Sequence, residues 1–274
     1  MKKHLPLLLT LLCLLLALAC AAQADGGIVV DKKDLSANET LDKNVTNIVF
    51  LFTDGDVTDT MLLASINSQT GRAVMTSLDC AMVVSVPGAG EARLADVYAM
   101  GDEASKSGGV LIEKTLNEWL SLNIATYIVL DVAQLPAIVD AVGTITLDIS
   151  AREREALGIE GSELGGEETL AYVRLKLEDD EPGTNRAYHA LMQLLYQGVK
   201  GGDMMSMLSM GTKLLSSVDS NLNPLTAVTL VTAVMSGEDR RELHLPQAEQ
   251  ILTQDPLTVD TQALRERLFA EVYE

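Results

Sequence analysis

Three carboxylates within six residues, Asp54, Asp56 and Asp59, follow directly on the apolar run 48–52. Aspartates this close suit a hard divalent cation, which takes oxygen ligands. The same spacing also describes an acidic, solvated turn. A second group lies in AYVRLKLEDDEPGTNRAYHALMQLL, where Arg174, Lys176 and Arg186 form the close group of cations in an acidic chain. If Arg174 and Lys176 lie on a strand, the two-residue period sets both on one face. An acidic loop beside a basic strand face makes a metal–phosphate constellation; taken alone, the same residues serve equally as surface salt-bridge partners.

Other familiar chemistries are missing from the sequence. It has no Gly-rich phosphate loop ending in Lys-Ser/Thr, no G-x-S-x-G and no H-E-x-x-H. Beyond residue 24 the histidines are His189 and His244, which argues against a histidine-based zinc site. Cys80 sits on a short apolar stretch and reads as a small buried residue, the alternative being a reactive thiol. Met204, Met205, Met207 and Met210 read as core filler rather than a ligand surface.

The elements that must position these residues follow from the apolar patterning. Residues 48–53 and 61–67 read as two buried strands joined by the acidic loop. Strands are expected at 73–78 and 82–86, a helix at 91–100, and a second helix from Val110 whose apolar residues recur at helical spacing. The run ATYIVLD is a strand ending in Asp131, which with Gln134 resembles a capping box for a helix through Val142. Gly143 stops that helix, and TITLDI at 144–149 reads as another strand. Strand, helix, strand at this spacing is a crossover unit, so the sheet is parallel or mixed. Residues 151–167 read as an exposed excursion. Helices over 186–200, 204–218, 224–235 and 260–273, with a strand at 242–245, complete an α/β layered domain from residue 47 to 274.

Composition bounds the setting. Lys2 and Lys3, an apolar run from Leu5 to Ala22 and the ending Ala22-Gln23-Ala24 describe an export signal over 1–24. Lipidation at Cys20 and retention as an uncleaved anchor are the alternatives. In each case the remainder is exported, lying outside the cytoplasmic membrane, secreted or attached to its outer face. Residues 25–46 are polar and without sustained periodicity and read as a flexible spacer. The full chain carries a formal charge of −19, with 20 basic against 39 acidic residues. Such a balance argues against nucleic acid and anionic membrane surfaces as broad electrostatic partners. An anionic ligand therefore needs a local basic site or a bound metal.

The order of segments is similar to the LytR–CpsA–Psr family of bacterial envelope proteins. NIVFLFTDGDVTDTMLLASIN resembles that family's opening strand, its Asp and its Arg-Ser-Asp-Thr-Met motif. SLDCAMVVSVPG stands where the family has Ser-Ile-Pro-Arg-Asp-Thr ending in Pro-Gly, and RLADVYAMGD resembles its Lys-Ile-Asn-x-Ala-Tyr stretch. YIVLDVAQLPAIVDAVGTITLDI is close throughout to the family's Tyr-x-Val-x-Asp strand, helix and Gly turn. ETLAYVRLK with NRAYHALM resembles Tyr-x-Arg-x-Arg and Arg-x-x-Arg-Gln, and DSNLNPLTAVTLV the Thr-Asn-Leu segment.

The resemblance implies a three-layer α/β/α domain with a central mixed sheet and a hydrophobic lipid-binding cavity. It implies a polyprenyl-pyrophosphate lipid whose head group is gripped by Mg²⁺ and arginines, and transfer of the linked glycopolymer to peptidoglycan. Residue by residue, Asp54 and Asp59 match the family's metal-binding acids. Arg174 and Arg186 match pyrophosphate-binding arginines, and Lys176 replaces a third; Asp59, Arg174 and Arg186 are the implied catalytic set. Val57 and Thr58 stand for the family's Arg-Ser, Cys80-Ala81 for its Arg-Asp, Val83 for a basic residue, and His189-Ala190 for its Arg-Gln. Phe52 occupies a family Gly position beside the loop. Lost charge-assisted hydrogen bonds, at roughly 1.5–3 kcal/mol each, weaken a grip on pyrophosphate, and Lys lacks the planar fork of Arg. Three expectations stay open: a phosphotransferase with an altered site, a non-catalytic relative that binds envelope lipids or glycans, and an interaction module whose cavity is filled.

Overall fold

The computed structural model describes residues 27–31, 33, 35, 38, 40–101, 105–178, 185–200, 218–223, 226 and 239–274. Its centre is a six-stranded sheet built on β1 (Val45–Asp54), β2 (Val57–Asn67) and β3 (Ala73–Leu78). Two short strands follow β3 outside the sheet and form one ribbon: β4 (Val83–Val86) pairs with β5 (Gly90–Arg93). The sheet resumes with β6 (Tyr127–Asp131), while β7 (Ile145–Thr146) and β8 (Glu163–Leu164) pair with each other away from it. β9 (Asp219–Ser220) and β10 (Arg240–Leu245) complete the strand order β10-β3-β2-β1-β6-β9.

The sheet is mixed, as expected, but through different strands. β1 runs parallel to β6 and β3 parallel to β10, with β2 antiparallel between β1 and β3. The expected strand over 144–149 is reduced to β7 and lies outside the sheet. Ile145, Leu147 and Ile149 alternate inward all the same, because their side chains join the cluster under the helices together with Leu164 of β8. The crossover into the sheet comes earlier, through helix α1 (Gly108–Leu120), which precedes β6. The expected helix at 91–100 is instead β5 followed by two single 3₁₀ turns, 94–96 and 98–100.

Central strands alternate between two dry faces, which is why they read as continuous apolar runs. Val49, Leu51, Met61 and Leu63 face α1 and the final helix α6 (Thr261–Val272), meeting Leu111, Leu116, Leu264 and Leu268. Phe52, Leu62 and Leu130 face the opposite helical layer. That layer holds α2 (Leu135–Val142), α3 (Ala151–Leu157), α4 (Gly166–Arg174) and α5 (Arg186–Lys200). The result is the three-layer α/β/α arrangement. Each fully buried Leu or Ile contributes about 1.5–3 kcal/mol of transfer free energy.

Several local expectations need correction. Residues 151–157, part of the expected exposed excursion, form α3 because Ser150 and Glu153 make a reciprocal capping box. Asp131 caps a 3₁₀ turn by accepting from the Ala133 N–H at 2.9 Å, and no capping box with Gln134 forms. Within the stretch read as a spacer, Ile28, Val30 and Leu35 pack against the α1 layer. Ile28 N–H donates to the Met100 carbonyl at 2.7 Å, and Asn38 Nδ2 to the Ser121 carbonyl at 3.0 Å. The helices expected over 204–218 and 224–235 fall outside the described residues except at 218 and 226, as does the signal over 1–24. No described helix is long and apolar enough to cross a membrane.

Candidate functional site

The carboxyl ends of β1, β3, β6 and β10 point to one edge of the sheet, the side where open α/β sheets bind ligands. The acidic loop stands there, but it is tighter than the sequence suggested. β1 and β2 form a hairpin whose turn residues are Gly55 and Asp56, with Asp54 opposite Val57 and Gly55 at φ +63°. Asp59 lies within β2. Thr58 pairs with Thr53 and Thr60 with Phe52, so Asp59 is the extra residue of a β-bulge. A bulge re-aims its side chain, and Asp59 is exposed between buried Thr58 and half-buried Thr60.

The basic group comes from the helical layer. Arg174 is the last residue of α4, and Lys176 follows beyond the helix end. They do not share a strand face, because Leu170, Tyr172 and Val173 complete a helical turn against the sheet. Arg174 grips Asp54 with two hydrogen bonds, Nε to Oδ2 at 3.0 Å and Nη2 to Oδ1 at 2.7 Å. Lys176 Nζ stands 4.0 Å from Asp59 Oδ1. Both pairs are open to solvent, where an ion pair contributes about 0–1 kcal/mol. They can therefore exchange for a ligand at little cost.

Arg186 is held differently. Only 6% of its side chain is exposed. Nε donates to Glu153 Oε1 at 2.8 Å and Nη1 to the Leu175 carbonyl at 2.9 Å, with the guanidinium 5.9 Å from the Tyr172 ring centroid. Burial pushes the Glu153 carboxyl up, but the Ser150 hydroxyl, the Ser150 N–H and Arg186 together outweigh it and hold it below the usual glutamate range. The sequence reading missed Glu153; Ser150-x-x-Glu153, a capping-box signature, was the signal available.

Cys80 lies two residues beyond β3, and its thiol is pushed up to about 12 by burial and then by the charges of Asp79 and Asp59. It is a neutral neighbour of the acidic edge rather than a reactive thiolate. Val57 is exposed at the hairpin tip. His189 Nδ1 lies 3.4 Å from the Tyr172 hydroxyl, and Asn185 Nδ2 donates to Ser77 Oγ at 3.1 Å.

Among the described residues no group of three or more His, Cys, Asp or Glu is placed to hold a metal. The Asp54 and Asp59 donors nevertheless suit Mg²⁺, which commonly uses one or two carboxylates and takes its other ligands from substrate phosphates and water. On the same sheet face, at the amino ends of β3 and β10 and so at the far end from the acidic hairpin, lies a shallow apolar groove. Ala64, Ile66, Ala73 and Met75 line it with Tyr188 of α5, and Arg240 and Arg241 stand at its rim.

Comparison with known proteins places this arrangement. The model of the LytR_cpsA_psr family matches residues 26–264. A polyisoprenyl-teichoic acid–peptidoglycan teichoic acid transferase TagU of Oceanobacillus iheyensis is 29% identical over 154 residues, covering 53% of this chain and 48% of the relative. This chain thus spans about half the length of that curated relative. The structure of TagT bound to LI-WTA superposes with a TM-score of 0.65 at 17% identity, over 92% of this chain and 98% of that one. A family structure with bound octaprenyl pyrophosphate lipid gives 0.63 at 18% identity, over 89% and 99%. At such identities the superpositions show the shared fold.

Proposed function

The chain belongs to the LytR_cpsA_psr family, and from that premise we propose that it works in the cell envelope, moving a glycopolymer from a polyprenyl-pyrophosphate carrier to peptidoglycan. The observation that carries the proposal is the pairing of Asp54 with Arg174 and Asp59 with Lys176 at the carboxyl edge of the sheet, on the face whose far end carries the apolar groove. The teichoic acid transferase and the lipid-bound relatives support the same reading. Export by the signal over 1–24 and attachment at the outer face of the membrane belong to this proposal.

In this reading Arg174 and Lys176 turn from the two carboxylates to the pyrophosphate oxygens. Asp54 and Asp59, released, would hold Mg²⁺, which would supply neutralisation of charge on those oxygens. An acceptor hydroxyl oxygen then bonds to the phosphorus bearing the polymer. The bond from that phosphorus to the bridging oxygen breaks, prenyl phosphate leaves, and the hydroxyl proton passes to water or a carboxylate. Positioning and charge neutralisation do most of such a reaction. Arg186, at the start of α5, acts chiefly through position, holding the Leu175 carbonyl between Arg174 and Lys176.

One feature favours a second reading, lipid binding without turnover. Val57 and Cys80 add no charge at the edge, and Arg186 is committed to Glu153. The two readings separate when the full chain is incubated with a prenyl-pyrophosphate-linked oligosaccharide, a peptidoglycan acceptor and Mg²⁺. The transferase reading expects release of prenyl phosphate, lost by about a hundredfold or more in Asp59→Ala. Bound donor with no release leaves the non-catalytic reading; no bound donor overturns both.

A further inference from the structure

We propose that the ion pairs at the carboxyl edge act as an interlock, which makes binding of a divalent cation and binding of the pyrophosphate depend on each other. The inference rests on the function proposed above and concerns the regulation of that same site. Its basis is the geometry of one contact. Arg174 closes α4 and reaches across to the end of β1, where Nε donates to Asp54 Oδ2 at 3.0 Å and Nη2 to Asp54 Oδ1 at 2.7 Å. Both carboxylate oxygens are taken by one fork. Among the described residues the guanidinium bonds to Asp54 alone. Lys176 repeats the arrangement more loosely, with Nζ 4.0 Å from Asp59 Oδ1. The other cations of the helical layer are committed elsewhere. Arg186 is held by Glu153 and the Leu175 carbonyl, Arg154 donates to the Ile149 carbonyl, and Arg152 of α3 is likewise engaged.

Asp54 and Arg174 thus occupy each other's binding groups. A pyrophosphate that takes the Arg174 fork leaves the Asp54 carboxylate beside it as a second anion, and like charges at this range repel. A divalent cation taken up by Asp54 leaves the guanidinium beside a second positive charge. Either ligand alone breaks the pair and puts nothing in place of the lost partner. Both together satisfy the carboxylate and the guanidinium at once. Such mutual dependence is a coupling free energy, and by linkage it is reciprocal. The side chains of Arg174 and Asp54 are 43% and 42% exposed, so they can part by rotamer changes without moving α4 or the hairpin.

The test is equilibrium binding of a prenyl pyrophosphate to the full chain in detergent, with Mg²⁺ or with a chelator in its place. Without the cation, Asp54→Asn releases the Arg174 fork and should tighten binding by about two- to fivefold, the range of an exposed ion pair. With Mg²⁺ the sign reverses, and the same variant should bind more weakly than the wild-type chain. In the Arg174→Ala background there is no fork to release, so adding Asp54→Asn should leave metal-free binding unchanged. Asp56→Asn, the same loss of charge at the neighbouring turn residue, should also leave it unchanged. Equal tightening in the Arg174→Ala background, or by Asp56→Asn, assigns the effect to the general field of an acidic chain and overturns the interlock. Metal-free binding that Asp54→Asn fails to tighten, or Mg²⁺-supported binding that it fails to weaken, overturns it too. These outcomes leave the proposed function standing. That function falls, and the interlock with it, if the wild-type chain in Mg²⁺ binds the prenyl pyrophosphate no better than the prenyl alcohol.

Discussion

Arg186 commits its guanidinium to Glu153, the Leu175 carbonyl and the Tyr172 ring, whereas Arg174 holds a single exposed carboxylate. The two side chains match equivalent positions in the sequence motifs, yet burial gives them different work. Glu153→Gln would leave a buried guanidinium without its counter-charge. We expect a loss of about 3 kcal/mol, the low end for one partner of a buried ion pair, because Glu153 keeps 13% of its side chain exposed. Urea unfolding at neutral pH checks it. The pH dependence has a definite sign. The Glu153 carboxyl sits lower in the fold than in the unfolded chain. Its contribution is therefore present above the ordinary glutamate range and lost as pH falls through the folded value. The Gln variant should show that acid-side loss reduced; an unchanged acid profile would contradict the assignment. Neither Glu153 nor this split between the arginines was legible from residue types alone, since pairing across 33 residues depends on how α3 packs on α5.

The elements that came through clearly from the sequence are those whose neighbours impose one period. β1 and β3 read as apolar strands, β10 as a short strand at 242–245, and α1 as a helix with apolar residues at helical spacing. The hairpin has its own signal, Gly55-Asp56 between apolar runs, a two-residue turn, and it draws Asp59 into a strand instead of a loop. Residues 144–149 show the opposite limit, since inward alternation looks the same against a helix layer as inside a sheet. For α4, the short amphipathic pattern around Arg174 and Lys176 fits either period, and only packing on α2 decides. That packing is tight: a Cβ at Gly166 would come within 2.4 Å of the Pro136 carbonyl oxygen. Gly166→Ala should therefore cost about 1–3 kcal/mol and, by shifting the helix that ends in Arg174, also weaken binding of a prenyl pyrophosphate. Gly158→Ala is the control: its φ of +68° makes a side chain unfavourable, but nothing lies within 4 Å. Denaturant midpoints should fall in both variants, with lipid binding affected only in Gly166→Ala.

At the scale of the molecule the two faces of the sheet are unequal. Toward α1 and α6, Val74, Thr76 and Leu78 of β3 are buried; toward the opposite layer, Met75 and Ser77 are half-buried, and the groove begins beside Met75. One face closes the core; the other carries the groove by the amino ends of β3 and β10 and the charged pairs at the opposite, carboxyl end. In the proposed function a long apolar chain runs along that face with its anionic head at the charged edge. The most direct test is calorimetric titration of the full chain in detergent with a prenyl pyrophosphate and with the prenyl alcohol of equal length. The account predicts that the pyrophosphate binds at least about tenfold more tightly, and that Arg174→Ala removes most of that difference, as loss of a charge-assisted contact should. Equal affinity for the two ligands, or a difference untouched by Arg174→Ala, would contradict it.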